Sequence, residues 1–256
     1  MKRLAALLTL LFSLLFVNAV GTQEPFEKMY ELLNRGYYNS AIQINGPALI
    51  RTFPNHSEAH YLFAYALYFA NHPLESREEL NLATQLKPDS DPRFYHLDGL
   101  IAATEGNEEV ALTMLRAAFD GAKTYKYAMD WGRIAWESGS YEEALDAYEY
   151  AAQTQSGHKE PWPKLNRGRI LSYLGRHVEA IQAFHDSIKL FEKNDLGNQR
   201  SLLAYVEAYF RLGLTHEILG NISEANAYYQ SAHSGDPMYE PALEAINRLS
   251  SKSTQP

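Results

Sequence analysis

The sequence predicts an all-α protein, a right-handed α-solenoid of about six antiparallel helix pairs closed by a C-terminal capping helix. Three observations predict this fold class. Apolar residues recur at helical spacing after residue 22. A sequence motif with a Gly and an Ala five positions later recurs along the chain. Successive copies are separated by 33 residues from Gly106 to Gly139 and by 36 from Gly139 to Gly175. A repeat of this length is typical of stacked helix pairs.

The composition supports a folded chain and excludes several kinds of site. The chain has 256 residues, of which 46% are hydrophobic and none is Cys. This length and apolar content can form a core without disulfides or metals. The absence of Cys excludes disulfide bridges, thiolate metal sites, a Cys nucleophile and a lipid-modified N-terminal Cys.

Residues 1–19 have the pattern of a secretory signal. Lys2 and Arg3 precede an apolar run over 4–17, and modest residues follow up to Ala19, where we expect cleavage. The run is shorter than the roughly 20 residues that span a bilayer. We therefore expect no stable membrane insertion after cleavage, with a retained anchor as the alternative. An exported, Cys-free chain is expected to be periplasmic or secreted, and a bacterial envelope is favoured.

The net charge limits the partners of the exported chain. The chain has 31 acidic and 23 basic residues, a formal net charge of −8, and loss of the signal removes two of the basic ones. Acidic proteins are repelled by phosphate backbones and anionic lipids. Nucleic acid is therefore not an expected partner.

The recurring motif predicts the helices of the array in order. Its glycine marks a turn between the two helices of a pair and occurs at Gly36, Gly106, Gly139, Gly175 and Gly220. In the second pair Asn71 occupies the turn instead. The predicted pairs lie within an array at 22–237 and cover about 22–55, 57–90, 92–124, 125–158, 161–194 and 206–237, with an insertion at 190–199 before the last. A capping helix is predicted at 238–250 and a disordered tail at 251–256.

These residues resemble the tetratricopeptide repeat family, which joins an aromatic, a Leu-Gly pair, an Ala, an aromatic and a closing Pro over 34 residues. The last copy matches best, with Tyr209, Leu212, Gly213, Gly220, Ala225, Tyr229, Ala232 and Pro237. The first copy is degenerate, because Met29 stands where the helix-packing Gly is usual. The resemblance covers residues 22–237. It implies a superhelix with a concave groove lined by the first helix of each pair.

The sequence contains no pattern that indicates catalysis, and we expect no enzyme activity, cofactor or metal. His216 and Glu217 lack the second His of a zinc-protease helix, and the chain has neither a Gly-x-Ser-x-Gly elbow nor a phosphate-binding loop. His56 and His60 are four residues apart, but no third ligand is near them in sequence. We interpret both as exposed polar residues.

The resemblance implies a binding groove, and helical spacing in the first helix of each pair selects its lining. The predicted peptide-binding residues are Tyr61, Tyr65, Tyr68, His96, Lys126, Arg133, Trp136, Arg169, Tyr173 and Phe210. Aromatic residues and Arg dominate interface energies, and Arg binds carboxylates with two hydrogen bonds. We therefore expect an extended or helical peptide with an acidic group or a C-terminal carboxylate. The alternative is that Tyr65 and Tyr68 belong to the core and that Arg133 pairs with Glu137.

These observations predict an exported scaffold or adaptor that binds a protein or peptide segment, in envelope assembly or secretion. Two alternatives stay open. One is a structural protein whose exposed aromatic residues promote self-association. The other is a glycan-binding module in which Trp136, Trp162 and Tyr173 stack on sugar rings. The oligomeric state is left open.

Overall fold

The computed structural model describes residues 24–88, 91–194 and 199–253, and the predicted signal at 1–19 lies outside these ranges. Within the described residues the chain forms thirteen helices, joined by short turns, and no strand. The helices pack into two compact units, Met1–Gly121 (unit 1) and Ala122–Pro256 (unit 2). None of the described helices combines the length and the hydropathy that a membrane span requires.

Unit 1 consists of three antiparallel helix pairs. Its helices are α1 (24–34), α2 (three continuous segments, Tyr38–Ser40, Ala41–Asn45 and Gly46–Thr52), α3 (Ser57–Phe69), α4 (Pro73–Leu86), α5 (Pro92–Thr104) and α6 (Glu108–Ala122). The last residue of α6 lies beyond the boundary of the unit.

The middle segment of α2 has π-helical geometry, and Pro47 explains it. A proline inside a helix has no N–H to donate, and its ring clashes with the carbonyl four residues earlier. The wider turn over Ala41–Asn45 directly precedes the helical segment that contains Pro47. Gly46 brings α2 close to α3, because a Cβ at this position would lie 2.2 Å from the Phe63 ring.

Unit 2 consists of three further pairs and a last helix. Its helices are α7 (Tyr125–Glu137), α8 (Tyr141–Gln153), α9 (Trp162–Tyr173), α10 (His177–Asn194), α11 (Gln199–Ile218), α12 (Ile222–Gly235) and α13 (Glu240–Ser253), with a short 3-10 turn at Gly157–Lys159 between α8 and α9.

Unit 2 differs from the sequence prediction at two places. The predicted insertion at 190–199 is largely helical, since α10 continues to Asn194 and α11 starts at Gln199, seven residues before the predicted start of the sixth pair. The last helix continues to Ser253, three residues past the predicted end. The backbone of 251–253 is therefore helical rather than disordered, and 254–256 lie outside the described residues.

The turns within the pairs have the backbone that the sequence predicts. The five turn glycines have φ between 73° and 79°, and Asn71 has φ 68°. In the fourth pair Gly139 N donates to Trp136 O and Ser140 N donates to Ala135 O, which satisfies carbonyls at the end of α7. This left-handed C-terminal motif favours Gly and tolerates Asn.

Each pair of unit 2 is held by a ring that lies on a glycine. A Cβ at Gly132 would lie 2.9 Å from the ring of Tyr148, and a Cβ at Gly213 would lie 2.4 Å from the ring of Tyr229. Gly168 and Phe184 make the same contact in the fifth pair, at 2.5 Å. These contacts let the two backbones of a pair approach closely. The prediction of an all-α fold built from antiparallel helix pairs is thus confirmed.

Candidate functional site

Three aromatic side chains form a surface cluster in unit 2, called here the unit 2 aromatic cluster: Trp136 and Tyr141, which are half-buried, and Tyr173, which is exposed. The ring centroid of Trp136 lies 5.4 Å from those of Tyr141 and Tyr173, and the two tyrosine rings are 5.0 Å apart. Tyr141 Oη donates to Tyr173 Oη at 3.3 Å, and this hydrogen bond raises the pKa of Tyr141. Since the Tyr173 side chain is 64% exposed, the cluster is open to a ligand.

Helix ends position this cluster. Trp136 is the penultimate residue of α7, Tyr141 is the first residue of α8, and Tyr173 is the last residue of α9. The left-handed turn at Gly139 brings the first of these helix ends beside the second. Trp136 and Tyr173 were among the residues predicted from the sequence, whereas Tyr141 was not, because the position two residues after a turn glycine was assigned to the repeat pattern. An aromatic residue at this position was the available signal.

Arg169 lies next to Trp136. Together with Trp136, Tyr148, Asn166 and Ile170 it lines a small cavity of about 20 Å³, which has room for about one water molecule. Arg169 Nη1 donates to Asn166 Oδ1 at 3.3 Å, and none of the ion pairs found among the described residues includes Arg169. Burial raises the pKa of Tyr148, so its neutral phenol does not compensate the guanidinium charge. Arg169 therefore has unused capacity to bind an anion.

The other two predicted cations of unit 2 are in different surroundings. Arg133 Nη1 lies 2.9 Å from Glu137 Oε2, one turn further along α7, and both side chains are exposed. This contact agrees with the alternative interpretation of Arg133, whose charge is already compensated. Lys126 is exposed on the first turn of α7.

Phe210 lies in a seam between α11, α12 and α13 and is half-buried. Its ring centroid is 5.6 Å from that of Tyr229 and 5.5 Å from that of Tyr239. Tyr239 Oη donates to Glu207 Oε2 at 2.5 Å. Phe210 therefore contributes mainly to packing of the last helices.

Two predicted groove residues of unit 1 are buried, which corrects their assignment. The Tyr61 side chain is 7% exposed, because its ring stacks on Phe94 of the next helix pair at 5.1 Å. The guanidinium of Arg93 covers the same ring at 4.9 Å. His96 occupies the corresponding fifth position of α5 and is 2% exposed. Helical spacing gives the face on which a residue lies, but it does not tell how far the neighbouring side chains cover it.

Tyr65 and Tyr68 belong to a second group of rings, called here the unit 1 aromatic cluster: Tyr38, Tyr65, Tyr68 and Phe69. The ring centroid of Phe69 lies 4.6 Å from Tyr65, 5.1 Å from Tyr38 and 5.1 Å from Tyr68. Tyr65 and Tyr68 are partly buried against the core of the unit, whereas Phe69 is exposed. The alternative interpretation of these two tyrosines as core residues therefore agrees in part with the structure.

His60 is buried rather than exposed as expected, whereas His56 is exposed. His60 Nδ1 lies 2.6 Å from Glu79 Oε2, and its Nε2 lies 2.8 Å from the carbonyl oxygen of Pro54. The side chain thus connects α3 to α4 and to the turn before α3. Among the described residues no group of three or more His, Cys, Asp or Glu is placed to hold a metal ion.

Comparison with known proteins relates this fold to one family. The tetratricopeptide repeat model matches residues 206–233, which lie in α11 and α12. No curated protein sequence gives a significant match. The structure is similar to PilW, a widely conserved type IV pilus biogenesis factor, with a TM-score of 0.67 and 14% identity over 88% of this chain and 98% of that one.

Two further solved structures have the same fold. One is PilF of Pseudomonas aeruginosa, with a TM-score of 0.62 and 17% identity over 87% of this chain and 95% of that one. The other is YrrB, described as a TPR protein with an unusual peptide-binding site, with a TM-score of 0.60 and 17% identity over 79% of this chain and 97% of that one. The resemblance seen in the sequence is confirmed by the repeat at 206–233 and by the shared fold: this chain contains a tetratricopeptide repeat and has the fold of tetratricopeptide-repeat proteins.

Proposed function

We propose that this chain is an exported scaffold or adaptor, without catalytic activity, that binds a protein or peptide segment through unit 2. The observation that carries the proposal is Arg169, a half-buried arginine without a carboxylate partner among the described residues. It lies beside Trp136, which connects it to the unit 2 aromatic cluster. We propose that Arg169 binds an acidic side chain or a C-terminal carboxylate of the partner.

The energetics favour a carboxylate at this position. A partly desolvated charge is costly unless it is paired, and a carboxylate can accept two parallel hydrogen bonds from a guanidinium. In a chain with 31 acidic and 23 basic residues, most arginines have acidic neighbours. Arg133 and Arg176, for example, already contact Glu137 and Glu179. Arg169 is therefore the cation of this surface that is best able to accept a ligand.

The aromatic residues supply the apolar part of the contact. Trp, Tyr and Arg are the residue types that contribute most to binding energy at protein interfaces. The alternative of a glycan-binding site included Trp162. Among the described ring contacts none joins Trp162 to Trp136 or Tyr173, whereas Tyr141 contacts both. The arrangement favours a peptide segment over a row of sugar rings.

The proposal of export is supported by the sequence, and the proposal of a role in envelope assembly or secretion is supported by the similarity of the fold to that of PilW. The basic start and apolar run of residues 1–19 support export. PilW, which has a similar fold, is a pilus biogenesis factor. We propose that this chain acts in the envelope as a partner-binding component of an assembly or secretion system.

The binding proposal is tested by affinity capture from the envelope fraction of the expressing cells, with residues 20–256 as bait. Three baits are compared: wild type, Arg169→Gln, and Arg133→Gln as a matched control on the neighbouring helix. We expect a partner that the wild type and Arg133→Gln retain and that Arg169→Gln loses. A partner retained equally by all three, or no partner in any, would show that Arg169 does not carry the function. Light scattering of the same baits would then test self-association.

Export is tested by expressing the full chain and measuring the mass of the product in each cell fraction. We expect a periplasmic or secreted chain that starts at Val20. A full-length chain in the membrane fraction would show that residues 1–19 are a retained anchor.

A further inference from the structure

An open groove lies in unit 2 between the start of α11 and the turn that joins α12 to α13, called here the α11 groove. Its volume is about 580 Å³, which falls within the range of about 300–1,000 Å³ of small-ligand sites. The groove is lined by Gln199, Arg200, Leu202, Leu203, Val206, Gly235 and Asp236. None of these residues belongs to the unit 2 aromatic cluster or lines the cavity beside Arg169. The groove is therefore separate from the site of the proposed function.

The helical repeat does not account for this groove. The tetratricopeptide repeat model matches from residue 206, whereas α11 begins at Gln199. The part of α11 before 206 therefore extends past the repeat, and it supplies four of the residues that line the groove. Additions to a repeat are often located on the binding face of an array.

Apolar side chains line one part of the groove. Leu202 is 36% exposed and Leu203 is 47% exposed, whereas Val206 is buried beneath them in the same lining. Gly235, the last residue of α12, lets that helix end approach α11, because a Cβ there would lie 3.1 Å from Val206 Cγ2. Exposed leucine side chains in a concave surface favour a ligand with aliphatic groups.

The same groove contains one cation and one anion. Arg200 is exposed, and none of the ion pairs found among the described residues includes it. Asp236 is half-buried and is likewise absent from those ion pairs. Its Oδ1 accepts a hydrogen bond from Met238 N at 2.9 Å. This bond fixes the carboxylate in the turn, and its second oxygen can accept from a ligand.

A buried hydroxyl near Arg200 favours an anion at that end of the groove. Tyr125 Oη is buried without a hydrogen-bond partner in the described part of the chain. Burial raises the pKa of Tyr125 to about 12, the charge of Glu160 adds to this rise, and that of Arg200 opposes it. The hydroxyl is therefore protonated at neutral pH and lies within electrostatic range of the guanidinium. Two donor groups that lack an acceptor favour a carboxylate in this place.

We propose that the α11 groove binds a short free peptide with aliphatic side chains, whose terminal carboxylate contacts Arg200 and whose terminal ammonium contacts Asp236. Charge complementarity selects this ligand. An anionic amphiphile would bring a second negative charge to Asp236, and a cationic one would bring a second positive charge to Arg200. A zwitterion with an aliphatic body pairs both charges and covers the leucine side chains.

The test is an NMR titration of the ¹⁵N-labelled chain, residues 20–256, with the tripeptide Leu-Ala-Leu. The backbone amides of Leu203 and Gly235 report on the α11 groove, and that of Gly139 reports on the unit 2 aromatic cluster. We expect the first two signals to shift and the third to stay in place. N-acetylation or C-terminal amidation of the peptide should each weaken binding about tenfold, because each removes one charge-assisted contact.

Two variants assign the two ends of the peptide. Arg200→Gln should abolish the effect of amidation alone, and Asp236→Asn should abolish the effect of acetylation alone. An Asn side chain can still accept from Met238 N, so the turn is kept. Glu240→Gln is the matched control, since Glu240 is an exposed acid four residues after Asp236 and does not line the groove. It should bind all three peptides as wild type does.

Four results would overturn this inference. They are equal binding of the free and the blocked peptides, shifts at Gly139 instead of Gly235, a loss of binding in Glu240→Gln equal to that in Asp236→Asn, and no shift at any peptide concentration. Each leaves the proposed function intact, because the role of Arg169 is measured separately by affinity capture.

Discussion

Replacement of Gly213 by Ala tests how the helices of unit 2 are held together. The added Cβ would lie 2.4 Å from Cε1 and 2.5 Å from Cδ1 of Tyr229. Tyr229 is fully buried, and its hydroxyl donates to Glu217 Oε2 at 2.9 Å, so the ring is fixed at its far end as well. Carbon atoms pack at about 3.5–4.0 Å. The ring and α11 must therefore move apart by roughly 1 Å.

The cost follows from two opposing effects. Overpacking a close contact of this kind costs about 1–3 kcal/mol. An Ala inside a helix is more favourable than a Gly by about 1 kcal/mol. Because the buried Tyr229 ring cannot move into solvent, we expect the collision to exceed the gain, with a net loss of up to about 2 kcal/mol in the free energy of unfolding.

The assay is urea denaturation followed by hydrogen exchange of the Gly213→Ala chain. Helix pairs in an array contact mainly their neighbours, so amide protection should fall in α11, α12 and α13 and stay unchanged in α7 and α8. Gly106→Asn is the matched control, since Gly106 has φ 76° with open space around it, a conformation that Asn71 adopts in this chain. A Gly213→Ala chain as stable as wild type would refute the argument from close packing.

Three further predictions concern polar groups. The side-chain hydrogen bond from Arg93 lowers the pKa of Asp91. The stability that this carboxylate contributes is therefore present above a pH of about 4 and should be lost as the pH falls through the pKa of the folded state. Asp91→Asn should weaken this pH dependence in thermal melts at acid pH. Burial, and to a smaller extent the charge of His216, lowers the pKa of His185. The stability of the folded chain should therefore fall as the pH drops below about 6.5. This fall should be smaller in His185→Gln than in wild type. His60→Leu should cost about 1–2 kcal/mol in urea unfolding, because it leaves two partly buried acceptors, Glu79 Oε2 and the carbonyl oxygen of Pro54, without their partner.

Each of these predictions has a result that contradicts it. An Asp91→Asn chain with the acid-melting profile of wild type would show that its hydrogen bonds to Arg93 do not contribute. The proposed effect of His185 fails if wild type is equally stable at pH 7.5 and 5.5. A neutral His60→Leu substitution would mean that water replaces the lost hydrogen bonds.

The turns and the close contacts within the helix pairs were predictable because each requires a residue type that few others can replace. A left-handed backbone nearly requires Gly or Asn, and a ring on the neighbouring helix requires a Gly beneath it. Gly139 and Gly213 were therefore located correctly by spacing alone. The early start of α11 at Gln199 could not be predicted this way, because the repeat pattern begins only at 206 and Gly197 fell within the predicted insertion.

The candidate site was less predictable, because it depends on neighbours that helical periodicity does not specify. Tyr61 and Trp136 both lie on the first helix of a pair at positions predicted to face a groove. Tyr61 is covered by Phe94, whereas Trp136 is partly exposed to solvent beside Arg169. The contact of Arg133 with Glu137 was foreseeable, since residues four apart on a helix meet. The assignment of Arg169 and the aromatic clusters to ligand binding stays a prediction.

The π-helical segment of α2 also bears on how this helix tolerates a change in its length. A π turn closes over one more residue than an α turn, so Ala41–Asn45 accommodates one residue more than a regular helix of the same rise. Because Pro47 accounts for the wider turn, deletion of a single exposed residue such as Ile44 together with Pro47→Ala should convert α2 into a regular helix.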